Sequence, residues 1–291
     1  MIIKSDEVVL SICCITYNQE LFLSKALNGF LAQEVSFPIE IIIYDDYSTD
    51  NTRQLLLEFK EKSKFPVKLI LSDENKFSKG ERIFIKTFKE AKGKYIALCE
   101  ADDFWTDSLK LQKQVDFLEV NNDVNICFHR ANVFKENKLK LHDVPNQFVN
   151  KPFYYIELLR HFNFITTASV VFRVSENLKI PNWYKDIVFG DLGLYKLVSQ
   201  DKKIQCLDDV MSVYNIHNQG IWSGLNELKS LYNYLFFYKT IFIHLNNEEK
   251  EVVKLKLNVV LNKVSKIKAP KFLLFQKMYF YILRMQYHKF L

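Results

Sequence analysis

Cys99-Glu100-Ala101-Asp102-Asp103-Phe104-Trp105-Thr106-Asp107 is the stretch where an apolar run stops in acids and gives way to a helix-like pattern. Before it, Lys94-Tyr95-Ile96-Ala97-Leu98, introduced by Gly93, is aromatic, branched and nearly continuous in apolar character. That fits a buried strand of a mostly parallel sheet. The acids then fall at the strand's C-terminal end, the edge where open α/β sheets bind ligands. Carboxylate oxygens there suit Mg²⁺ or Mn²⁺. The plainer reading is a helix start, with Thr106 or Asp107 capping a helix through Leu111, Val115 and Leu118. Capping accounts for Asp107. It leaves Glu100, Asp102 and Asp103 crowded together, and their repulsion calls for a cation or hydrogen-bond donors.

Outward from this stretch the same pattern repeats. Val8 to Ile15 is an apolar run ending in Thr16-Tyr17-Asn18, and Leu23, Ala26, Leu27, Phe30 and Leu31 then recur at helical spacing. Ile39 to Tyr44 ends in Asp45-Asp46-Tyr47-Ser48-Thr49-Asp50 before a helix through Leu55, Leu56 and Phe59. Val67 to Leu71 leads to a helix expected from about Glu81 to Ala91. Four strand-helix alternations predict a doubly wound sheet whose first, second and fourth strands deliver polar residues to one edge. Val124 to Phe134 reads as a further strand, Lys135 to Lys151 as a polar loop without period, Ile165 to Arg173 as a hydroxyl-rich entry to a strand, and Ile204 to Val213 as another strand.

The whole chain sets bounds. With 291 residues, 48% hydrophobic and 25% charged, it has the composition of a folded protein. One catalytic domain over 1–224 and a helical appendage over 225–291 is the simplest division. No run of about 18 apolar residues occurs and the N-terminus lacks a signal-peptide pattern, so a cytoplasmic protein without a spanning helix is expected. The five cysteines show no C-x-x-C spacing and lie mostly in apolar runs, which reads as buried free thiols. The net charge of +6 is uneven: residues 225–291 hold 12 Lys and Arg against 4 acids, a surplus of 8 that leaves −2 for the rest. Neither G-x-G-x-x-G nor G-x-x-x-x-G-K-[ST] occurs, and only 7 glycines are present. That argues against a Rossmann dehydrogenase or a P-loop enzyme.

Ser11 to Asn18, Ile41 to Asp50, and Tyr95 to Asp107 with its Leu109-Lys110-Leu111-Gln112 continuation together resemble family 2 glycosyltransferases of the GT-A fold, over roughly residues 8 to 220. The resemblance implies a Rossmann-like, mostly parallel sheet flanked by helices, with a nucleotide-diphospho-sugar, most simply a UDP-sugar, across its edge. The family's D-x-D-like signature is matched to Ala101-Asp102-Asp103. On that match Thr16 and Tyr17 cradle the base, Asp46 accepts from the uracil ring, Asp102 faces the ribose or sugar, and Asp103 holds Mn²⁺ or Mg²⁺ on the diphosphate. Ser48 and Asp50 read as caps of the next helix. Where many relatives carry Arg-Asn before the fourth strand this chain has Phe84-Ile85, so Lys79 and Arg82 are the substitutes for diphosphate contact, with solvated surface charge as the alternative.

The resemblance also makes Asp191, in Phe189-Gly190-Asp191-Leu192, the candidate catalytic base, which can cap its helix as well. An inverting transfer needs one carboxylate to take the acceptor hydroxyl's proton. His217, after Tyr214-Asn215-Ile216, is a candidate metal or diphosphate contact, and Asn215 stands where relatives often have Arg. Thr166 and Thr167 are candidates for acceptor hydroxyl contacts. His129 and Arg130 read as core or surface groups. The tail's helical patterns end in Pro270 to Leu291, basic and rich in Phe and Tyr, which suits an anionic membrane surface or packing on the catalytic domain or a second subunit better than nucleic acid. A lipid-linked glycan acceptor, of the kind used for capsule or lipooligosaccharide, would share that surface. The rival readings are a nucleotidyltransferase, which needs a glycine-rich basic loop, and a silent glycan- or membrane-binding protein that keeps the fold.

Overall fold

Leu10–Thr16 (β1), Ile39–Asp45 (β2), Val67–Leu71 (β3) and Tyr95–Glu100 (β4) form the parallel side of a nine-stranded sheet, in the order β3-β2-β1-β4. β1 and β2 are buried almost throughout, as continuous apolar runs demand when helices cover both faces. The helices α1 (Leu23–Leu31), α2 (Thr52–Lys62) and α3 (Phe84–Phe88) make the crossovers. This is a computed structural model, and it describes residues 7–175, 179–218, 220 and 227–266.

Because β2 pairs with one side of β1 and β4 with the other, the chain reverses its winding between β1 and β4. That switch point opens a crevice at the strands' carboxyl ends. Gly93 permits the close approach: a Cβ there would fall 2.5 Å from the Ser11 backbone nitrogen. Its N–H instead donates to Ser11 Oγ at 2.9 Å, and Ser11 donates to Glu40.

Beyond β4 the sheet turns mixed. Phe104–Trp105 (β5), Val124–Lys135 (β6), Lys138–Leu141 (β7), Val171–Arg173 (β8) and Lys203–Ile216 (β9) continue it as β4-β8-β6-β9-β5, with β7 hung on β6. β8 is antiparallel to both neighbours, whereas β6 and β9 run parallel, with register shifts around His129 to Ala131. The helices here are α4 (Lys110–Val120), α5 (Ile156–His161) and α6 (Gly190–Ser199). All five cysteines are buried and free.

Two local expectations are corrected. The helix expected over 81–91 contracts to α3, preceded by a 3-10 turn at Phe77–Lys79, because Gly80 and Glu81 N–H close back onto Phe77 O and Lys76 O and keep the chain in that turn. Lys135 to Lys151 carries β7 and a 3-10 turn at Asn146–Phe148. The hydroxyl-rich entry expected from Ile165 takes the form of a 3-10 turn at Thr167–Ser169, and the strand itself is the short β8.

The chain divides into two units, Met1–Gly224 and Leu225–Leu291. In the second, Glu227–Phe242 (α7) and Asn247–Lys266 (α8) pack on each other, burying among others Leu235, Phe237 and Ile241 from α7 and Val253, Leu257 and Val260 from α8. The basic aromatic stretch from Pro270 lies outside the described residues. Among the described residues no helix is long and apolar enough to cross a membrane.

Candidate active site

The loops that follow β1 and β2 are lashed together. Asn18, at φ +50°, donates its N–H to Ser48 Oγ and accepts from Thr49 N–H, while Gln19 N–H donates to Thr52 and Glu20 N–H to Asp50. Asp50 also accepts from the N–H of Thr52, the first residue of α2, although the N-cap position itself is Asn51 and Ser48 serves the Asn18 loop instead. Tyr17 stands out of this mesh, 45% exposed, beside a buried Thr16. An open aromatic face at a sheet edge can stack on a base.

Asp46 departs from the sequence reading. It is fully buried, and its two carboxylate oxygens accept the backbone N–H groups of Lys76 and Phe77 at 2.8 and 2.9 Å. Here it anchors the segment after β3, and this is what holds the 3-10 turn ahead of α3. Asp45 braces Ser48 N–H and Arg53 in the same way.

At the end of β4 the backbone folds back, Asp103 N–H donating to Glu100 O at 3.0 Å. This turn sends the two aspartates in different directions. Asp103 goes inward, 1% exposed, and its Oδ1 accepts Asn215 N–H at 2.9 Å. Its Oδ2 is shielded and finds no hydrogen-bond partner among the described residues. Burial, then Asp102 and Glu100, push its carboxyl well above the usual range. Asp102 stays in reach of solvent, and its Oδ2 lies 3.0 Å from Nε2 of His217, whose ring stacks on Phe22. Asp102, rather than the Asp103 expected to share a metal with His217, is thus the acid juxtaposed with that imidazole, and Asp103 is bonded to the β9 backbone two residues before it. A carboxylate and an imidazole suit a divalent ion whose other positions are filled by diphosphate oxygens and water. Among the described residues no group of three His, Cys, Asp or Glu is arranged to hold a metal unaided.

Asp191 sits in the first turn of α6, where Oδ1 accepts Leu192 N–H at 2.8 Å and Oδ2 accepts from the Asn163 amide. Burial raises its pKa against those two bonds. Glu100 is pushed up to about 8, by burial first and then by Asp102 and Asp191. Tyr214, on β9, feels all four acids, Asp103, Glu100, Asp102 and Asp191. The tertiary fold has thus assembled β4's acids and α6's aspartate into one field. Tyr195, four residues after Asp191 and so on the same helix face, is fully buried, with a hydroxyl that has no partner among the described residues and Asp191 and Glu100 as electrostatic neighbours. Sequence reasoning passed over Tyr195 and Tyr214 as groups of the site; the i, i+4 spacing from Asp191 was the available signal for Tyr195.

Other candidates fall away. Lys79 is exposed and ion-paired with Glu74, as is Lys76, so the diphosphate role given to Lys79 does not hold. Asp107 Oδ1 accepts Leu109 N–H and Oδ2 pairs with Lys113, so it steadies the approach to α4, which begins at Lys110. His129 is buried, with Nδ1 against Arg130 O, and Arg130 pairs with Asp208. Thr166 Oγ1 is buried without a partner among the described residues.

A buried frame supports the acid turn. Trp105 Nε1 donates to Ala168 O at 2.8 Å, and Lys110 Nζ lies over the Trp105 ring and donates to Gln114 Oε1. Gln114 Nε2 in turn donates to Cys127 O and Ser169 O. A Cβ on Gly29 would stand 3.1 Å from the Trp105 backbone, so α1 closes on the same turn.

A Mycobacterium tuberculosis protein described as uncharacterized is 36% identical over 220 residues, 73% of this chain; the chain spans 60% of that relative's length. The Escherichia coli enzyme UDP-Glc:alpha-D-GlcNAc-diphosphoundecaprenol beta-1,3-glucosyltransferase WfgD is 26% identical over 79% of this chain and 86% of its own. Among solved structures, Staphylococcus aureus TarS 1-349 in complex with UDP-GlcNAc superimposes with a TM-score of 0.64 at 14% identity, over 86% of this chain and 71% of TarS 1-349. The Pyrobaculum calidifontis mannosyltransferase PcManGT, in complex with GDP-Man and Mn²⁺, gives 0.61 at 14% identity, over 98% of this chain and 83% of the other. The fold is that of the GT-A glycosyltransferases. The model of glycosyl transferase family 2 matches residues 11–177, and the chain belongs to that family.

Proposed function

We propose that this protein is an inverting, metal-assisted glycosyltransferase that moves a sugar from a UDP-sugar to a hydroxyl of a lipid-linked glycan acceptor. The observation that carries the reading is the meeting of the Asp102–His217 pair with Asp191 at the switch-point edge. Tyr17 would stack on the base and Thr16 flank it. Asp102 and His217 would hold Mn²⁺ or Mg²⁺, which supplies positive charge to the departing diphosphate. Asp191 takes the acceptor hydroxyl's proton as that oxygen bonds to the anomeric carbon. The bond from that carbon to the phosphate oxygen breaks in the same step, and UDP leaves with the electron pair. A base with a raised pKa is matched to that task near neutral pH. Asn163 keeps the Asp191 carboxylate turned to one face, and Tyr195 and Glu100 lie beside it.

The UDP-sugar donor and diphosphoundecaprenol-linked acceptor in the WfgD name support this substrate class. The test is UDP release from a panel of UDP-sugars, with and without Mn²⁺ and with short-chain lipid-diphosphate acceptors. Release that needs both metal and acceptor supports the reading; absence of release across the panel rejects it.

A further inference from the structure

Arg82 lies between the 3-10 turn at Phe77–Lys79 and α3, and its side chain reaches the start of α6. A Cβ on Gly190 would stand 3.7 Å from Arg82 Cδ and equally far from the hydroxyl of Tyr184, which donates to Gly190 O. Arg82 is half-buried, and its Nε is shielded from solvent with no hydrogen-bond partner among the described residues. The other cations of the segment are satisfied: Lys76 and Lys79 pair with Glu74, and Lys86 with Glu81. Asp186 acts on Arg82 only from beyond ion-pair distance, and burial pushes the guanidinium below its usual range. A half-buried guanidinium whose Nε has lost water without gaining an acceptor carries a cost that an anion would remove.

The neighbours indicate which anion. Tyr184 and Gly190 belong to the segment that carries Asp191, the group that addresses the acceptor, and neither belongs to the β1 and β4 ends where the donor would lie. An acceptor sugar linked through a diphosphate brings two phosphates about one ring away from its reacting hydroxyl. Guanidinium groups bind phosphate in bidentate fashion. The geometry points to Arg82 as the residue that binds the diphosphate of a lipid-linked acceptor, beside the helix start that carries Asp191. This inference rests on the glycosyltransferase reading above.

The test compares Arg82→Met and Arg82→Lys with the parent on two acceptors, an alkyl-diphosphate-linked N-acetylglucosamine and the same sugar as an uncharged alkyl glycoside. Loss of a charged hydrogen bond predicts that KM for the diphosphate acceptor rises about ten- to a hundredfold in Arg82→Met. The effect on the uncharged glycoside should be at least about tenfold smaller, with Arg82→Lys in between. A second readout is calorimetry of octyl diphosphate with UDP-loaded protein, which the parent should bind and Arg82→Met should not. Equal losses on both acceptors overturn the inference, as does weakened UDP binding, which would move Arg82 to the donor. A parent that turns over UDP-sugars but binds no alkyl diphosphate also refutes it, while leaving the proposed function standing. A parent that binds alkyl diphosphate through Arg82 yet releases no UDP from any sugar nucleotide would remove the transferase reading instead and, with it, the assignment of that diphosphate to an acceptor.

Discussion

Replacing Glu100 with Gln should make the metal-free protein more stable at pH 8 and leave it unchanged near pH 4.5. Glu100 closes β4 with its carboxyl pushed up to about 8, by burial first and then by Asp102 and Asp191. In the unfolded chain it titrates near about 4.3. Between those values the native state keeps a proton that the unfolded state has released, so its stability is full below the lower value and falls as pH rises toward the upper one. At about 1.36 kcal/mol per unit, the full gap has a ceiling of about 5 kcal/mol. Because the burden is shared among coupled acids, a gain of about 2 kcal/mol is expected for Glu100→Gln at pH 8. For a unit of this size that is about 4–8 °C in Tm. Thermal melts in EDTA at pH 4.5 and 8 would read it, and added Mn²⁺ should shrink the gap by neutralising the neighbouring acids. Identical melting profiles of parent and variant from pH 4.5 to 8 would refute the idea that the four acids form one field.

Asp191→Asn should lower turnover by about 10²–10⁴-fold with UDP affinity intact, as steady-state kinetics and calorimetry would show; near-normal turnover excludes it as the base. Asp102→Asn should abolish the Mn²⁺-dependent part of UDP binding, whereas Asp103→Asn should keep much of it, because the amide oxygen still accepts the Asn215 N–H; the reverse order would restore Asp103 as the metal ligand. Lys110, fully buried and pushed down to about 7, should make parent stability rise with pH between about 7 and 10, since the unfolded chain there binds a proton that the native state does not. Lys110→Met should lose that slope in urea denaturation, and a retained slope would argue against a buried, largely neutral amine.

The parallel half of the fold was legible because its strands are apolar runs that end in polar clusters, and such runs have few alternatives. α3 starts later than its spacing suggests because Gly80 and Glu81 N–H close back onto Phe77 O and Lys76 O, in a turn whose first residues are anchored by Asp46 thirty residues earlier, and local spacing carries no trace of that anchor. The same holds for the acid turn. Adjacent aspartates look equivalent in sequence, and only the backbone bond from Asp103 to Glu100 decides which one turns in. The pairing of Asp102 with His217 and the field around Asp191 join positions far apart in the chain. Their residue types were readable as candidates, but their partners were a matter of topology.

The bond from Asn215 N–H to Asp103 has a consequence for the order of events. It ties the β4 turn to the last strand of the first unit, and His217 follows two residues later. During synthesis the edge made from β1 and β2, to which the proposed function assigns the nucleotide, can be finished while the Asp102–His217 pair still lacks its imidazole. Long-range pairing of this kind forms late. Nascent chains would then pass through a stage that holds a base but lacks the complete pair to grip its diphosphate. On this reasoning the docking of one strand serves as the switch from bare scaffold to competent site, and Asn215→Pro, which removes the donating N–H, would silence the protein without touching a single acid.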